Sequence, residues 1–168
     1  VDDLAVGDDV MLVTRFGGYA SEIVVPRHQV FRRPAGLSAE QAAGVPCVYL
    51  TAYFALFFLA HPRAGDTLLI HSASGGVGSA LVQLARVAGC RTVGVVGASH
   101  KVETCGADEV IDKSSVDLWT AAEALSPGGY DVILDANGPS TLKASYEHLA
   151  APGKLVVYGF ASMMPKTG

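Results

Sequence analysis

The stretch Leu68-Leu69-Ile70-His71-Ser72-Ala73-Ser74-Gly75-Gly76-Val77-Gly78 decides the fold class of this chain. The residues from Thr67 to His71 predict a buried strand, and those from Gly76 to Ala88 predict a helix with one apolar face. A strand that passes through a glycine-rich turn into a helix is the context of dinucleotide-binding loops. The usual G-x-G-x-x-G pattern is degenerate here, because Ala73 replaces its first glycine.

Two adjacent glycines, Gly75 and Gly76, allow the backbone of this turn to approach a pyrophosphate closely. The unpaired amides and the positive dipole end of the following helix would then face the anion. Gly78 permits tight packing of the helix on the strand. A tight strand-to-helix turn without a ligand is the alternative interpretation, and the two extra glycines argue against it.

Downstream of the loop, apolar strands alternate with helices. Continuous apolar strands separated by helices indicate a parallel sheet covered on both faces, which is the α/β Rossmann doubly wound architecture. One connection is unusually short, because only about 11 residues separate Gly97 from Glu109 and a crossover needs about that many. The expected strands after the first are Arg91–Val96, Glu109–Asp112, Tyr130–Asp135 and Lys154–Tyr158; the expected helices are Ser99–Thr104, Ser115–Leu125 and Ser140–Leu149.

The N-terminal part has the pattern of strands, which we expect at Asp9–Thr14, Tyr19–Val25 and Gln29–Arg33. The pattern changes at Pro34-Ala35-Gly36, so we divide the chain into a β segment, residues 1–34, and a Rossmann domain, residues 35–168.

Two helices are expected between this boundary and the first strand of the sheet. Ser38 and Gln41 have the spacing of a capping box, and the helix that they begin should stop before Pro46. The apolar run Cys47–Ala60 follows. Its roughly 14 residues are too few to span a bilayer, which needs about 20, so a buried core helix is expected and no transmembrane segment.

The bulk composition excludes several classes of partner. The 168 residues carry a net charge of -4, which builds no basic field for nucleic acid or for an anionic membrane surface. The three cysteines, Cys47, Cys90 and Cys105, form no CxxC pair, and an odd number of cysteines favours a reducing, cytoplasmic location. We expect no metal site.

The end of the second strand of the sheet indicates which nicotinamide cofactor binds. NAD-binding domains usually place an Asp or Glu there, on the ribose 2′-hydroxyl. Here the residues are Val96-Gly97-Ala98-Ser99-His100-Lys101, without a carboxylate. Ser99 and Lys101 could hold a 2′-phosphate that an acid would repel, so NADPH is favoured over NADH. An exposed helix lysine is the alternative interpretation of Lys101.

Several segments together resemble the medium-chain dehydrogenase/reductase superfamily, in particular its zinc-independent quinone oxidoreductases. The closest resemblance is to the branch that includes zeta-crystallin and vesicle amine transport protein 1. The segments are Phe16–Ala20 with Val24-Val25-Pro26, Tyr49–Tyr53, Gly75–Ala80 with Gln83–Arg86, Gly106–Asp112 and Tyr158–Ser162.

This resemblance implies an NADPH-dependent oxidoreductase that reduces quinones or α,β-unsaturated carbonyl compounds by hydride transfer and acts as a homodimer. It implies that residues 1–34 are part of an incomplete GroES-like domain and that the chain is a piece of a longer enzyme. Lys113 stands where many relatives have a tyrosine that grips the cofactor. The cofactor-binding residues implied are Thr51, Ser74, Gly75, Gly76, Val77, Ser99, Lys101, Lys113, Asn137 and Gly159.

The catalytic group is not identified by the resemblance. Tyr49 and Tyr53 could donate a proton, but aromatic residues of a helix core are the more common case. Cys47 lies near a zinc-ligand position of alcohol dehydrogenases, so a zinc-dependent alcohol dehydrogenase is one alternative, although zinc needs about three protein ligands. A non-catalytic NADPH-binding module and an enoyl reductase domain of a polyketide synthase are the others.

Overall fold

The computed structural model of the chain describes residues 3–164. Contacts within the chain divide it into two compact units, with the division between Leu50 and Thr51. The first unit contains a small β pair and most of one helix, and the second contains the parallel sheet.

The β pair of the first unit consists of β1 (Val10–Leu12) and β2 (Val30–Arg32), which are antiparallel with Met11 opposite Phe31. A 3₁₀ turn, Arg27–Gln29, precedes β2. The strand expected at Tyr19–Val25 is wrong, since this segment has no regular secondary structure. The physical reason is that its apolar side chains find nothing to pack against: Tyr19 and Val24 are fully exposed.

Helix α1 (Ala39–Tyr53) begins at the capping box that the sequence predicts. The Ser38 amide donates to Gln41 Oε1 over 2.9 Å, and the Gln41 amide donates to Ser38 Oγ over 3.2 Å. The expected stop before Pro46 is wrong, because the helix continues through this residue. Proline removes one backbone hydrogen bond, and the helix continues on the hydrogen bonds before and after it.

The helix continues as a π-helical segment, Phe54–Ala60, which ends at His61 in the left-handed conformation. The expectation of a buried core helix is wrong in part. Ala52, Ala55, Leu56 and Ala60 are buried, whereas the opposite face is exposed and includes Leu50, Phe54 and Phe58. The two segments join into 22 residues, Ala39–Ala60, which by length and composition alone could cross a membrane. Core helices of soluble proteins can have the same length and apolar composition.

The second unit is built on a five-stranded parallel sheet, which confirms the doubly wound α/β fold. The strand order is β5-β4-β3-β6-β7, so the chain starts in the centre, winds to one edge, and returns past the centre to the other edge. The strands are β3 (Thr67–Ile70), β4 (Arg91–Val96), β5 (Glu109–Asp112), β6 (Tyr130–Asp135) and β7 (Leu149–Val157).

Four helices connect these strands. The connection between β4 and β5 is reduced to a 3₁₀ turn, Ser99–Lys101, and one turn of helix, so the short crossover expected from the sequence is real. A further 3₁₀ turn, Ala161–Met163, follows β7. The helices are α2 (Gly76–Val87), α3 (Val102–Cys105), α4 (Leu118–Leu125) and α5 (Leu142–Glu147).

The core on one face of the sheet follows the period of two that strands impose on side chains. Leu69 lies opposite Val93 on one neighbouring strand and Ile133 on the other, and all three are buried. Helix α4 covers this face. Burial of each such aliphatic side chain stabilises the fold by about 1.5–3 kcal/mol. The partly buried residues packed against this core are Leu118, Trp119, Ala121, Leu125, Leu149 and Leu155.

Candidate functional site

The glycine-rich loop leaves β3 through a sharp turn at Ser72, whose φ is +54°. The Gly75 amide donates to the Ser72 carbonyl over 2.8 Å, which closes the turn. A Cβ at Gly78 would lie 2.1 Å from that same carbonyl oxygen. The loop therefore tolerates no side chain at position 78, as expected for a helix packed tightly on its strand.

Helix α2 begins on this loop with Gly75 as its N-cap. Glycine has no side chain that could accept from the first amides of the helix, so these donors and the positive end of the dipole point into the loop. The Ser74 hydroxyl oxygen is buried and has no hydrogen-bond partner among residues 3–164. A phosphate oxygen at this point would satisfy both the hydroxyl and the amides.

A cavity of about 210 Å³ lies beside the loop. Two ammonium groups, those of Lys101 and Lys113, belong to residues that line it, and no carboxylate lines it within the described part of the chain. Gly97 also lines it, and a Cβ there would lie 3.6 Å from Cε of Lys113. The other lining residues are Ser72, Ser74, Gly75 and Val95. The arrangement is that of an anion site with two cations.

A carboxylate behind this cavity, that of Asp112, was not identified from the sequence. Its Oδ2 accepts from the Ser99 hydroxyl over 2.6 Å, and its Oδ1 accepts from the Ser114 hydroxyl over 2.6 Å and from the Ser114 amide over 2.9 Å. These hydrogen bonds, first those from Ser114 and then that from Ser99, lower the pKa of Asp112 to about 2. An Asp at a strand end, with serines two and three residues later, is the sequence signal that could have indicated this turn.

The structure brings together four of the residues proposed from the sequence: Ser74, Gly75, Lys101 and Lys113 line one cavity. Gly76 and Val77 form the first turn of α2 beside it. Ser99 is not among the lining residues, and its hydroxyl hydrogen is given to Asp112.

Three proposed residues lie elsewhere. Thr51 lies half-buried in α1. Asn137 follows β6, and its carbonyl accepts from the Ser162 amide over 2.9 Å. Gly159 follows β7, where a Cβ would lie 2.6 Å from the Ala136 carbonyl oxygen. The last two loops therefore pack against each other at the carboxyl end of the sheet, where doubly wound folds bind ligands.

A buried polar network supports the start of the loop. Ser145 Oγ donates to Asp135 Oδ2 over 3.1 Å and lies 3.2 Å from His71 Nε2. Because the serine has one hydrogen, Nε2 of the histidine must be the donor to Ser145, which leaves Nδ1 without a hydrogen. Nδ1 has no partner among residues 3–164. Burial lowers the pKa of His71, against the smaller opposing effect of Asp135.

The carboxylate of Asp135 is the centre of that network. Burial by itself would raise its pKa, but hydrogen bonds from the Thr141 hydroxyl and from the Gly138 and Asn137 amides outweigh burial and lower it. Tyr158 donates to the His71 carbonyl over 2.9 Å, so β7 is tied to the same point. The network holds the ends of β3, β6 and β7 together under the loop.

Neither a metal centre nor a proton donor emerges from these contacts. Within residues 3–164, no group of three or more His, Cys, Asp and Glu could hold a metal ion. Cys47, Cys90 and Cys105 form no disulfide bond among the described residues. The Tyr53 ring packs against Phe57 with centroids 4.8 Å apart, but it is 49% exposed, so it is not an aromatic residue of a buried helix core.

Several known proteins resemble this chain over most of its length. The synaptic vesicle membrane protein VAT-1 homolog of Rattus norvegicus is 37% identical over 167 residues, which are 98% of this chain and 41% of that protein. The CurK enoyl reductase superposes with a TM-score of 0.88 at 29% identity, over 99% of this chain and 51% of that chain. The quinone oxidoreductase from Thermus thermophilus, solved alone and with NADPH, gives a TM-score of 0.83 at 31% identity, over 97% of this chain and 53% of that chain.

The family described as zinc-binding dehydrogenase matches residues 76–167, which is more than half of the chain. The match begins at the first residue of α2 and includes all the strands that follow. Together with the quinone oxidoreductase and VAT-1 relatives, it establishes that this chain belongs to the zinc-binding dehydrogenase family of the medium-chain dehydrogenase/reductase superfamily, on its quinone oxidoreductase-like side.

Proposed function

We propose that the protein is an NADPH-dependent, zinc-independent oxidoreductase that reduces quinones or α,β-unsaturated carbonyl compounds, with this chain supplying mainly the cofactor-binding domain. The observation that carries the proposal is the cavity beside the glycine loop, which Lys101 and Lys113 line. The chain spans less than half of its rat relative, so the activity of the whole enzyme is part of the proposal.

The positive charges of the two lysines support a preference for binding NADPH over NADH. The 2′-phosphate of NADPH is the difference between the two cofactors, and a pair of ammonium groups stabilises it by charge-assisted hydrogen bonds. The segment in which an NAD-binding domain would carry its acid, Val96–Lys101, contains no carboxylate to repel the phosphate. Lys113, in place of the tyrosine of many relatives, adds the second cation.

The loop supports binding of the pyrophosphate that both cofactors share. The buried Ser74 hydroxyl and the uncapped amides of α2 are donors in need of an acceptor. A bound nicotinamide cofactor supplies the hydride, and the protein orients it. In the proposed role, Asn137 and Gly159 line the far end of the same cleft, at the carboxyl ends of β6 and β7, while Thr51 contacts the nicotinamide half.

The substrate class is supported by the relatives. Solved enoyl reductases and quinone oxidoreductases have this fold over nearly the whole chain, and both names denote reduction of an electron-poor carbon or a quinone. The proposal assigns no zinc ligand to the described residues, which offer no metal-binding group. We also propose a cytoplasmic homodimer, in which residues 1–34 belong to a GroES-like domain.

The test is calorimetric titration of the full-length wild type and of its Lys101→Ala variant, each with NADPH and with NADH. Turnover of the wild type is then measured with a panel of quinones and enones. We expect NADPH to bind tighter by about tenfold or more, and the variant to lose that difference. Equal affinity for both cofactors would contradict the NADPH assignment. Tight NADPH binding without turnover would favour a non-catalytic module, and turnover that is lost with a chelator would favour a zinc alcohol dehydrogenase.

A further inference from the structure

Asp112 joins the two segments that carry the lysines of the cavity. Ser99, two residues before Lys101, donates to one carboxylate oxygen. Ser114, directly after Lys113, donates its hydroxyl and its amide to the other. Asp112 is 8% exposed, whereas Ser99 and Ser114 are exposed. Asp112 therefore binds a serine that is a near neighbour in sequence of each lysine.

The hydrogen bonds from Ser99 and Ser114 to the Asp112 side chain form a frame, and the backbone around Asp112 reinforces it. The Lys113 amide donates to the Val96 carbonyl over 3.1 Å, which continues the β4–β5 ladder to the edge of the cavity. The Ser115 hydroxyl and amide both donate to the Asp112 carbonyl over 3.0 Å. The turn after β5 is therefore closed on both sides of the lysine, and the Asp112 side chain links it to the turn that begins at Ser99.

The same contacts bear on the role of Ser99. Its single hydroxyl hydrogen points at Asp112 over 2.6 Å, a charge-assisted hydrogen bond. While that bond lasts, Ser99 presents only lone pairs to a ligand and cannot donate to a phosphate. The ammonium groups of Lys101 and Lys113 are then the donors for the 2′-phosphate, and Ser99 serves as the link to Asp112.

We propose that Asp112 is a positioning residue for cofactor discrimination: it couples Ser99 to Ser114 and so sets the spacing of Lys101 and Lys113 around the 2′-phosphate. The inference rests on the proposed NADPH site. It assigns Asp112 no contact with the cofactor. Its loss should therefore affect NADPH and spare NADH, whereas a purely structural role would weaken both cofactors alike.

The charge of Asp112 has to be separated from its geometry, because removing a negative charge near two lysines would by itself favour a phosphate. Asp112→Asn removes the charge and keeps the frame: its carbonyl oxygen accepts from Ser114, and its amide donates to Ser99. Asp112→Ala removes the charge and the frame together. The difference between the two variants measures the frame alone.

The experiment titrates the full-length wild type and both variants with NADPH and NADH, with melting curves as a control for folding. We expect the NADPH Kd of Asp112→Ala to exceed that of Asp112→Asn by about tenfold, with equal NADH Kd values. Equal NADPH Kd values for the two variants, or an equal loss for both cofactors, would overturn the inference. Equal affinity of the wild type for both cofactors would instead overturn the NADPH site itself.

A milder pair of variants covers the case in which Asp112→Ala does not fold. Ser114→Ala deletes a hydroxyl that donates to the Asp112 carboxylate, and Ser115→Ala deletes one that donates to the Asp112 backbone carbonyl. We expect Ser114→Ala to raise the NADPH Kd by about threefold without affecting NADH, and Ser115→Ala to change neither. Indistinguishable NADPH Kd values for these two variants would also overturn the inference.

Discussion

The carbonyl oxygen of Ser72 lies where a side chain at Gly78 would have to begin, 2.1 Å from the ideal Cβ position. The same carbonyl already accepts from the Gly75 amide, so it cannot turn away without opening the loop. The start of α2 is thus locked closely onto the end of β3, and this is possible because glycine has no Cβ. This lock keeps the first amides of the helix aimed at the proposed pyrophosphate.

Gly78→Ala should disrupt this lock. Because backbone atoms surround the new methyl group, we expect a loss of about 1–3 kcal/mol in the free energy of unfolding and a clear loss of affinity for both NADPH and NADH. Chemical denaturation and calorimetry measure the two effects. Gly44→Ala is the matched control, since nothing lies within 4 Å of its Cβ and it lies inside α1, where alanine favours the helix. Unchanged stability and affinity in Gly78→Ala would contradict the geometry.

Ser74→Ala should separate stability from binding. The Ser74 hydroxyl oxygen is buried without a partner among the described residues, so its removal relieves a desolvation cost and should leave the melting temperature unchanged or higher. Binding of either cofactor should weaken by about tenfold, because a donor to the pyrophosphate is lost. Ser79→Ala is the control, as its hydroxyl donates to the Gly76 carbonyl. A fall in melting temperature with unchanged affinity would show that the hydroxyl serves the fold.

The two cavity lysines should make binding of NADPH depend on salt. We expect the NADPH Kd to rise with ionic strength more steeply than the NADH Kd, since salt screens exposed charges at a distance of about 10 Å at 0.1 M. The double variant Lys101→Ala/Lys113→Ala should give parallel salt dependences for the two cofactors. Lys143→Ala, which removes one positive charge at an exposed pair with Glu147 on α5, is the control for the effect of a surface charge outside the cavity. A steeper NADPH dependence that persists in the double variant would place the phosphate elsewhere.

His71 should make stability fall in mild acid. Burial holds its pKa below the ordinary value of 6.5, so below pH 6.5 the unfolded chain takes up a proton that the folded chain does not. The free energy of unfolding should therefore be constant above that pH and fall below it, by up to about 1.4 kcal/mol per pH unit. The loss ends where the pH reaches the lowered pKa of the folded state.

His71→Gln should remove this loss, because glutamine does not titrate and can still donate to Ser145. Urea denaturation between pH 8 and about pH 5 measures the dependence. His100→Gln is the control, since His100 is exposed. The aspartates with lowered pKa values, including Asp112 and Asp135, titrate from an ordinary value of 3.8 downwards and so act only in stronger acid. An unchanged slope in His71→Gln would assign the acid sensitivity to another group.

The parallel sheet could be predicted from the sequence because its signals are local. The bounds of β4, β5 and β6 agree with the structure, since each contains a short apolar stretch and lies between turn residues. The failures lie where distant contacts decide. The segment Tyr19–Val25 has the composition of a strand but no partner, and β7 begins at Leu149 because pairing with β6 extends it beyond the expected Lys154.

The candidate site divides in the same way. The glycine loop, the absence of a carboxylate from Val96–Lys101 and the two lysines could be predicted from the sequence, because residue type and a short spacing express each of them. The hydrogen bond from Ser99 to Asp112 and the packing of His71 against Asp135, which lies far along the chain on a different strand, are visible in the folded chain alone. Such pairings depend on how neighbouring parallel strands bring their carboxyl ends to one edge, and no local pattern of residues records which side chains meet there.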